Sequence, residues 1–156
     1  GLGFMHYGVE VLADQAGAEM KRWIGGHYEH MHSCNPIWEP TFAMLPEHPI
    51  TRGVKPFQIK DEWYFNMRFA GDGVVPILSA IAPAHTMERR NGPHSGNDAV
   101  RALVADGVPQ VTAWAREREG GGRGFGYTGG HFHANWDDAD ARNLVLNAIE
   151  WSAGLR

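Results

Sequence analysis

Histidine carries most of the chemical potential of this sequence, at nine of 156 residues, because its neutral ring offers a base or a metal ligand near pH 7. His6 follows the apolar run Gly1-Leu2-Gly3-Phe4-Met5 and precedes Tyr7-Gly8 and a helical pattern. A strand that turns sharply into a helix exposes a side chain at the carboxyl edge of the sheet, where α/β folds usually place ligands. His6 could act there as a general base or a metal ligand, or be a core histidine satisfied by backbone groups. His131 and His133 end an extended run. In extended chain, residues two apart point to one side, which suits chelation or hydrogen bonding to hydroxyls as well as plain solvent exposure. Asp61-Glu62 opens another extended run, and alternation lets only one of the two carboxylates face a site. That carboxylate could be a ligand, an acid/base group or the orienting partner of a histidine.

Other groups carry weaker signals. His27, Glu29, His30 and His32 are dense enough to hold a metal, but their spacing matches no defined zinc pattern and no cysteine pairs with them. Tyr28, Trp38, Trp63, Tyr64 and Trp136 could lend flat apolar faces to a sugar ring. Trp63 and Trp136 lead that group, although most large aromatics pack cores or rims. Arg68, Arg89, Arg90 and His94 could bind a hydroxyl-rich or anionic ligand, or stand as solvated loop groups. Gly120-Gly121-Gly122 precedes a strand rather than a helix, so it reads as a turn and not a phosphate cradle.

These residues need elements to position them. After the opening strand, Val9, Leu12, Ala16, Met20 and Trp23 recur at helical spacing until Gly25-Gly26. From His27 to Pro49 periodicity disappears among four prolines, and the segment reads as the wall or lid of a pocket. Extended stretches follow at 57–59, 63–67 and 74–79, and Pro76 marks the last as an edge strand or a break in its ladder. Residues 98–105 form a short helix. Runs 111–116 and 123–128 pair as a hairpin across a glycine-rich turn. Asp137 or Asp138 caps a final helix with Ala141, Leu144, Val145, Ala148 and Ile149 inward. Strands interleaved with two flanking helices point to a three-layer α/β domain over residues 1–156.

Composition narrows the function classes. Apolar residues at 43% and charged residues at 21% fit one globular domain. A net charge of −4 with scattered cations argues against nucleic acid. The apolar runs fall far short of the roughly 20 residues needed to cross a bilayer. Cys34 is the sole cysteine, so no internal disulfide can form and the compartment stays open between cytoplasm and periplasm. The chain starts at Gly1 inside an apolar segment, which reads as a domain incomplete at its N-terminus, with upstream strands missing and any signal peptide out of view.

Gly3-Phe4-Met5-His6, His48-Pro49-Ile50-Thr51-Arg52-Gly53, Asp61-Glu62-Trp63-Tyr64, the 111–116 strand with Gly122-Arg123, Gly130-His131 and Leu146-Asn147-Ala148-Ile149-Glu150-Trp151 occur in the order seen in ThuA-like proteins. Over nearly the whole chain the sequence thus resembles that family, named for trehalose utilisation. Gly92-Pro93-His94-Ser95-Gly96-Asn97 and Gly129-Gly130-His131-Phe132-His133 resemble a subgroup from environmental bacteria. The resemblance implies a flavodoxin-like fold related to class I glutamine amidotransferases, with a mostly parallel sheet. It implies that His6 stands where those enzymes carry their cysteine nucleophile, that His131 lies in the region of their catalytic histidine, and that Glu62 is the carboxylate facing the site. Glutaminase chemistry is then not expected, since Cys34 lies in an aperiodic loop.

Two functions follow as expectations. The first is an enzyme of sugar or keto-sugar metabolism whose catalytic and metal-binding residues are His6, Glu62 and His131, around a divalent metal such as zinc, with Trp63, His94, His133 and Trp136 contacting substrate. The second is a non-catalytic carbohydrate-binding or regulatory domain. Either would take a small-molecule sugar as partner, and an open sheet edge would favour a homo-oligomer.

Overall fold

The computed structural model describes residues 1–155. Its strands are β1 (Leu2–Met5), β2 (Gly26–His27), β3 (Thr41–Phe42), β4 (Phe57–Gln58), β5 (Arg68–Phe69), β6 (Val74–Ala80), β7 (Gln110–Glu117) and β8 (Arg123–Tyr127). Its α-helices are α1 (Ala18–Ile24), α2 (Asp98–Ala105) and α3 (Ala139–Ser152). The main sheet runs β1-β8-β7-β6, and β2/β5 and β3/β4 form two small antiparallel ribbons.

The β7–β8 hairpin is the centre of that sheet, and alternation sorts its side chains between two faces. Ala113 and Ala115 join a core that includes Leu144 and Trp151 of α3, whereas Trp114 joins a second core with Met20 and Ile24 of α1. The Trp114 indole nitrogen donates to the Ile24 carbonyl at 2.8 Å. Close approach on that face demands glycine. A Cβ at Gly124 would lie 2.3 Å from the Trp23 carbonyl oxygen, and one at Gly126 would lie 2.2 Å from the Trp114 ring. The glycines of β8 are therefore where α1 and the tryptophan seat themselves.

β1 pairs with β8 in parallel, Met5 opposite Tyr127. This pairing brings the residues that follow each strand, His6 and Thr128, to one rim. The other two pairings, β8 with β7 and β7 with β6, are antiparallel. The sheet is therefore mixed, which corrects the expectation of a mostly parallel one. Side-chain periodicity reports which face a residue occupies but not strand direction, and a tight hairpin forces antiparallel pairing. β6 lies at the edge of this sheet, and its register shifts just after Pro76, which satisfies both readings of that proline.

Helix ends follow their caps. Asn97 Oδ1 accepts from the Ala99 and Val100 amides to start α2, and Asp138 Oδ1 accepts from Ala141 to start α3. Gly25, at φ 94°, closes α1. The helical stripe beginning at Val9 is broken: a 3-10 turn spans His6–Val9, and a wide helical turn spans Ala13–Gly17 before α1. Leu12 is consequently half exposed. Ile149, expected inward, is 59% exposed. It borders a groove of about 530 Å³ beside Gly1 and beside Gly3 and Met5 of β1, the other edge of the sheet.

Segment 27–49 is tied to the core at several points, while Met31, Ile37 and Met44 stay exposed. Tyr28, Cys34, Trp38 and Phe42 are buried, and isolated bridges tie Cys34 to Phe65 and Ser95, and Trp38 to Asp61. Aperiodic sequence here supplies core residues that long-range backbone bonds hold in place.

Candidate active site

His6 is the first residue past β1, and its backbone enters the left-handed region at φ 47°. Such a conformation in a non-glycine residue costs about 1–3 kcal/mol and tends to occur where a side chain must be aimed. The His6 Nδ1 lies 3.1 Å from the Thr128 carbonyl oxygen. A carbonyl only accepts, so Nδ1 carries the hydrogen and Nε2 presents its lone pair. Around that lone pair stand Tyr64 Oη at 3.2 Å, His131 Nδ1 at 3.2 Å and Glu62 Oε2 at 3.5 Å. Burial, and next the Glu62 charge, push the Tyr64 phenol well above its ordinary value, so it remains a donor.

Asp61 and Glu62 divide as alternation requires. Asp61 is 1% exposed and points inward. Its Oδ1 accepts from the amides of Glu62 (2.7 Å), His131 (3.0 Å) and Phe132 (3.3 Å). Its Oδ2 accepts from the Gly130 amide and the Asn135 side chain, both at 2.9 Å. One carboxylate thus gathers the loop 129–135 and fixes where His131 emerges. Glu62 turns the other way, with Oε2 3.4 Å from His131 Nδ1. Side-chain exposure is 19% for His6, 19% for Glu62 and 45% for His131.

The three donor atoms therefore form a triangle with sides of 3.2, 3.4 and 3.5 Å. Ligands bonded at 2.0–2.1 Å to a tetrahedral zinc lie about 3.3 Å apart. The set of two imidazoles and one carboxylate matches a three-ligand site with an open fourth position. The Thr128 carbonyl on His6 is the outer-shell partner that orients such a ligand. These separations also suit long hydrogen bonds, so the same triangle serves a proton network.

The remaining candidates fall elsewhere. Trp63 is fully buried against Phe42 and Tyr127, so it offers no face to a ligand, correcting its assignment as a substrate contact. Trp136 is half-buried, with its ring stacked on Tyr127 at 6.4 Å. His133 is exposed and opens the 3-10 turn His133–Asp137, outside the triangle. His94 lies with Glu10 and His30 in a second group. The dense run at 27–32 disperses: His27 is buried and bonds the Tyr28 carbonyl, Glu29 pairs with Arg68 at 2.9 Å, and only His30 reaches a donor cluster. Arg89 holds Asn35 Oδ1 and the His94 carbonyl. Cys34 is buried, which pushes its thiol up to about 12 and leaves no thiolate for nucleophilic attack.

Sequence reading missed Asp61 as the loop anchor, and Tyr64 and Thr128 as partners of His6. Tyr64 had a signal, since it lies two residues after Glu62 on the same face of an extended run. Asp61 and Thr128 had none, because their partners are 69–74 and 122 residues away.

No helix among the described residues is long and apolar enough to cross a membrane. The sequence model of the ThuA family, described as trehalose utilisation, matches residues 1–152. No curated protein matches the chain. Among solved structures, a ThuA-like protein from Bacteroides uniformis is similar, with a TM-score of 0.60 and 16% identity over 96% of this chain. This chain spans 57% of the length of that structure, and at such identity the likeness concerns the fold. With its sequence matched by the family model almost end to end, the chain belongs to the ThuA family.

Proposed function

We propose that the chain acts on a sugar or keto-sugar at the rim formed by His6, Glu62 and His131, that these three residues hold a divalent cation such as zinc, and that it lacks glutaminase activity. The finer fold reading, a flavodoxin-like three-layer sandwich of the amidotransferase type, belongs to the same proposal. Family membership supports the link to sugar metabolism. The observation that carries the site is the 3.2–3.5 Å triangle of donor atoms drawn from residues 6, 62 and 131.

A bound cation would supply Lewis acidity toward a sugar oxygen. The chain's own residues do the rest. Thr128 holds the His6 tautomer, and Asp61 holds the His131 loop. Tyr64, kept protonated, can donate to a substrate oxygen that displaces its contact with His6. Trp136 could line one side of a sugar ring, with His94 and His133 reaching outer hydroxyls.

A second reading, a carbohydrate-binding or regulatory domain without turnover, draws on the same triangle as a hydrogen-bonded network complete without a cation. Measuring bound zinc and disaccharide or keto-sugar turnover in the purified protein and in Glu62→Gln and His131→Ala separates the two. We expect each variant to lose one equivalent of zinc and chelator-sensitive turnover. Unchanged zinc and turnover in both would sink the site; saturable, chelator-insensitive binding without turnover would establish the second reading.

A further inference from the structure

Glu10, His30 and His94 form a second donor cluster with a different set of supports. Glu10 follows the 3-10 turn after β1, His30 lies in the segment after β2, and His94 lies on the turn closed by the Gly92–Gly96 bridge. Glu10 Oε1 and His30 Nε2 are 2.6 Å apart, and the His94 ring meets the His30 ring edge-on at 5.1 Å between centroids. All three residues offer donor atoms within 4.8 Å of one another.

The backbone under each residue is fixed. The Tyr28 amide donates to the Val9 carbonyl at 2.9 Å, and an isolated bridge joins Glu10 to Tyr28, seating Glu10 beside the strand that leads to His30. The Met31 amide donates to Pro93, and the Asn35 amide donates to His94, which locks the 92–96 turn onto the same segment.

Tyr28 sets the state of His94. Its hydroxyl, fully buried, faces the carbonyl oxygens of Ser33 at 3.1 Å and Pro93 at 3.2 Å, and His94 Nδ1 at 3.4 Å. One hydroxyl has one hydrogen, and the two carbonyls can only accept it. The remaining role of the oxygen is to accept from His94 Nδ1–H, which leaves the His94 Nε2 lone pair for a ligand. A metal-binding histidine whose other nitrogen is held in this way is the usual outer-shell arrangement.

We infer that Glu10, His30 and His94 constitute a second site for a divalent cation of the zinc type, separate from the His6 triangle. Two imidazoles and a carboxylate again supply three ligands with an open position. The donor atoms lie within 4.8 Å of one another, against an edge of roughly 3.3 Å in a tetrahedral centre, with Glu10 and His30 already in contact and the His30 side chain 42% exposed, so that it has room to adjust. Ring contacts link the two groups through Tyr64 and Tyr28, whose centroids are 5.4 Å apart, with Tyr28 against His94 and Tyr64 against His6. The second site would anchor hydroxyls of a ligand that extends past the first, or brace the Glu10–Tyr28–Pro93 junction. It does not depend on the first site holding a metal.

The test is zinc stoichiometry of the whole chain by chelator competition, with cobalt absorption as an independent readout. Because His30 is exposed, His30→Ala should leave the thermal midpoint unchanged while weakening one zinc equivalent at least about tenfold, as even an outer-shell loss typically does. His30→Ala combined with His94→Ala should remove that equivalent. Zinc stoichiometry and affinity equal to the unaltered protein in both variants would overturn the inference. His131→Ala, measured alongside, removes an equivalent only through the triangle, so failure of either site is read separately.

Discussion

His27, His32 and His48 lie in β2 and the aperiodic segment that follows it, while His6 and His131 lie past the ends of β1 and β8, and the two groups put the same side chain to opposite uses. In the first group burial lowers the affinity for a proton in all three rings. His27 packs beneath Gly17 and bonds a neighbouring carbonyl. His48 accepts from the Ile50 amide at 3.2 Å as an N-cap, and its ring lies edge-on to Trp151 at 5.1 Å. The His27 and His48 rings satisfy backbone and fill space. In the second group the nitrogens face each other and a carboxylate, and the supporting bonds come from behind. Histidine density therefore says little about a site. What separates the groups is whether the lone pairs are consumed by the fold or left converging.

The largest test of that contrast is Asp61→Ala. It removes an acceptor from five donors on other residues, the amides of Glu62, Gly130, His131 and Phe132 and the Asn135 side chain. Unsatisfied buried donors cost about 1–3 kcal/mol each, so denaturant unfolding should show a loss of at least about 3 kcal/mol. Stability unchanged within error would mean that the His131 loop is held by something else.

A smaller effect sharpens the first group. Because folded His27, His32 and His48 titrate below the ordinary value of 6.5, both folded and unfolded chains leave them neutral above that pH. As pH falls through 6.5 the unfolded chain takes up protons first, and stability declines until the folded rings also protonate. The thermal midpoint should therefore drop between about pH 7 and pH 5. His48→Ala should cost about 0.5–2 kcal/mol as a lost cap, and flatten part of that slope.

The smallest effect belongs to the second group. His131 is 45% exposed, so His131→Ala should change unfolding free energy by no more than about 0.5 kcal/mol. A residue that matters for ligands and not for folding is what the contrast requires; a loss comparable to that of His48→Ala would erase it.

The sequence alone determined the parts whose causes are local. The hairpin of β7 and β8, the extent of α2, the Asp138 cap of α3 and the irregular, edge character of the Pro76 strand follow from alternation, turn glycines, capping residues and a missing amide hydrogen. The sharp turn that ends β1 at His6 and the opposite faces of Asp61 and Glu62 were legible for the same reason. Tertiary structure decided which strands run parallel, that Trp63 is core rather than a ligand face, that Ile149 borders an open groove, and that Tyr28, Cys34, Trp38 and Phe42 of segment 27–49 are core. It also decided the meeting of residues 6, 62 and 131, and of residues 10, 30 and 94. Those meetings depend on contacts between segments up to 125 residues apart, whose free energies are settled by packing and by buried hydrogen bonds such as those of Asp61, which leave no periodic trace in the chain.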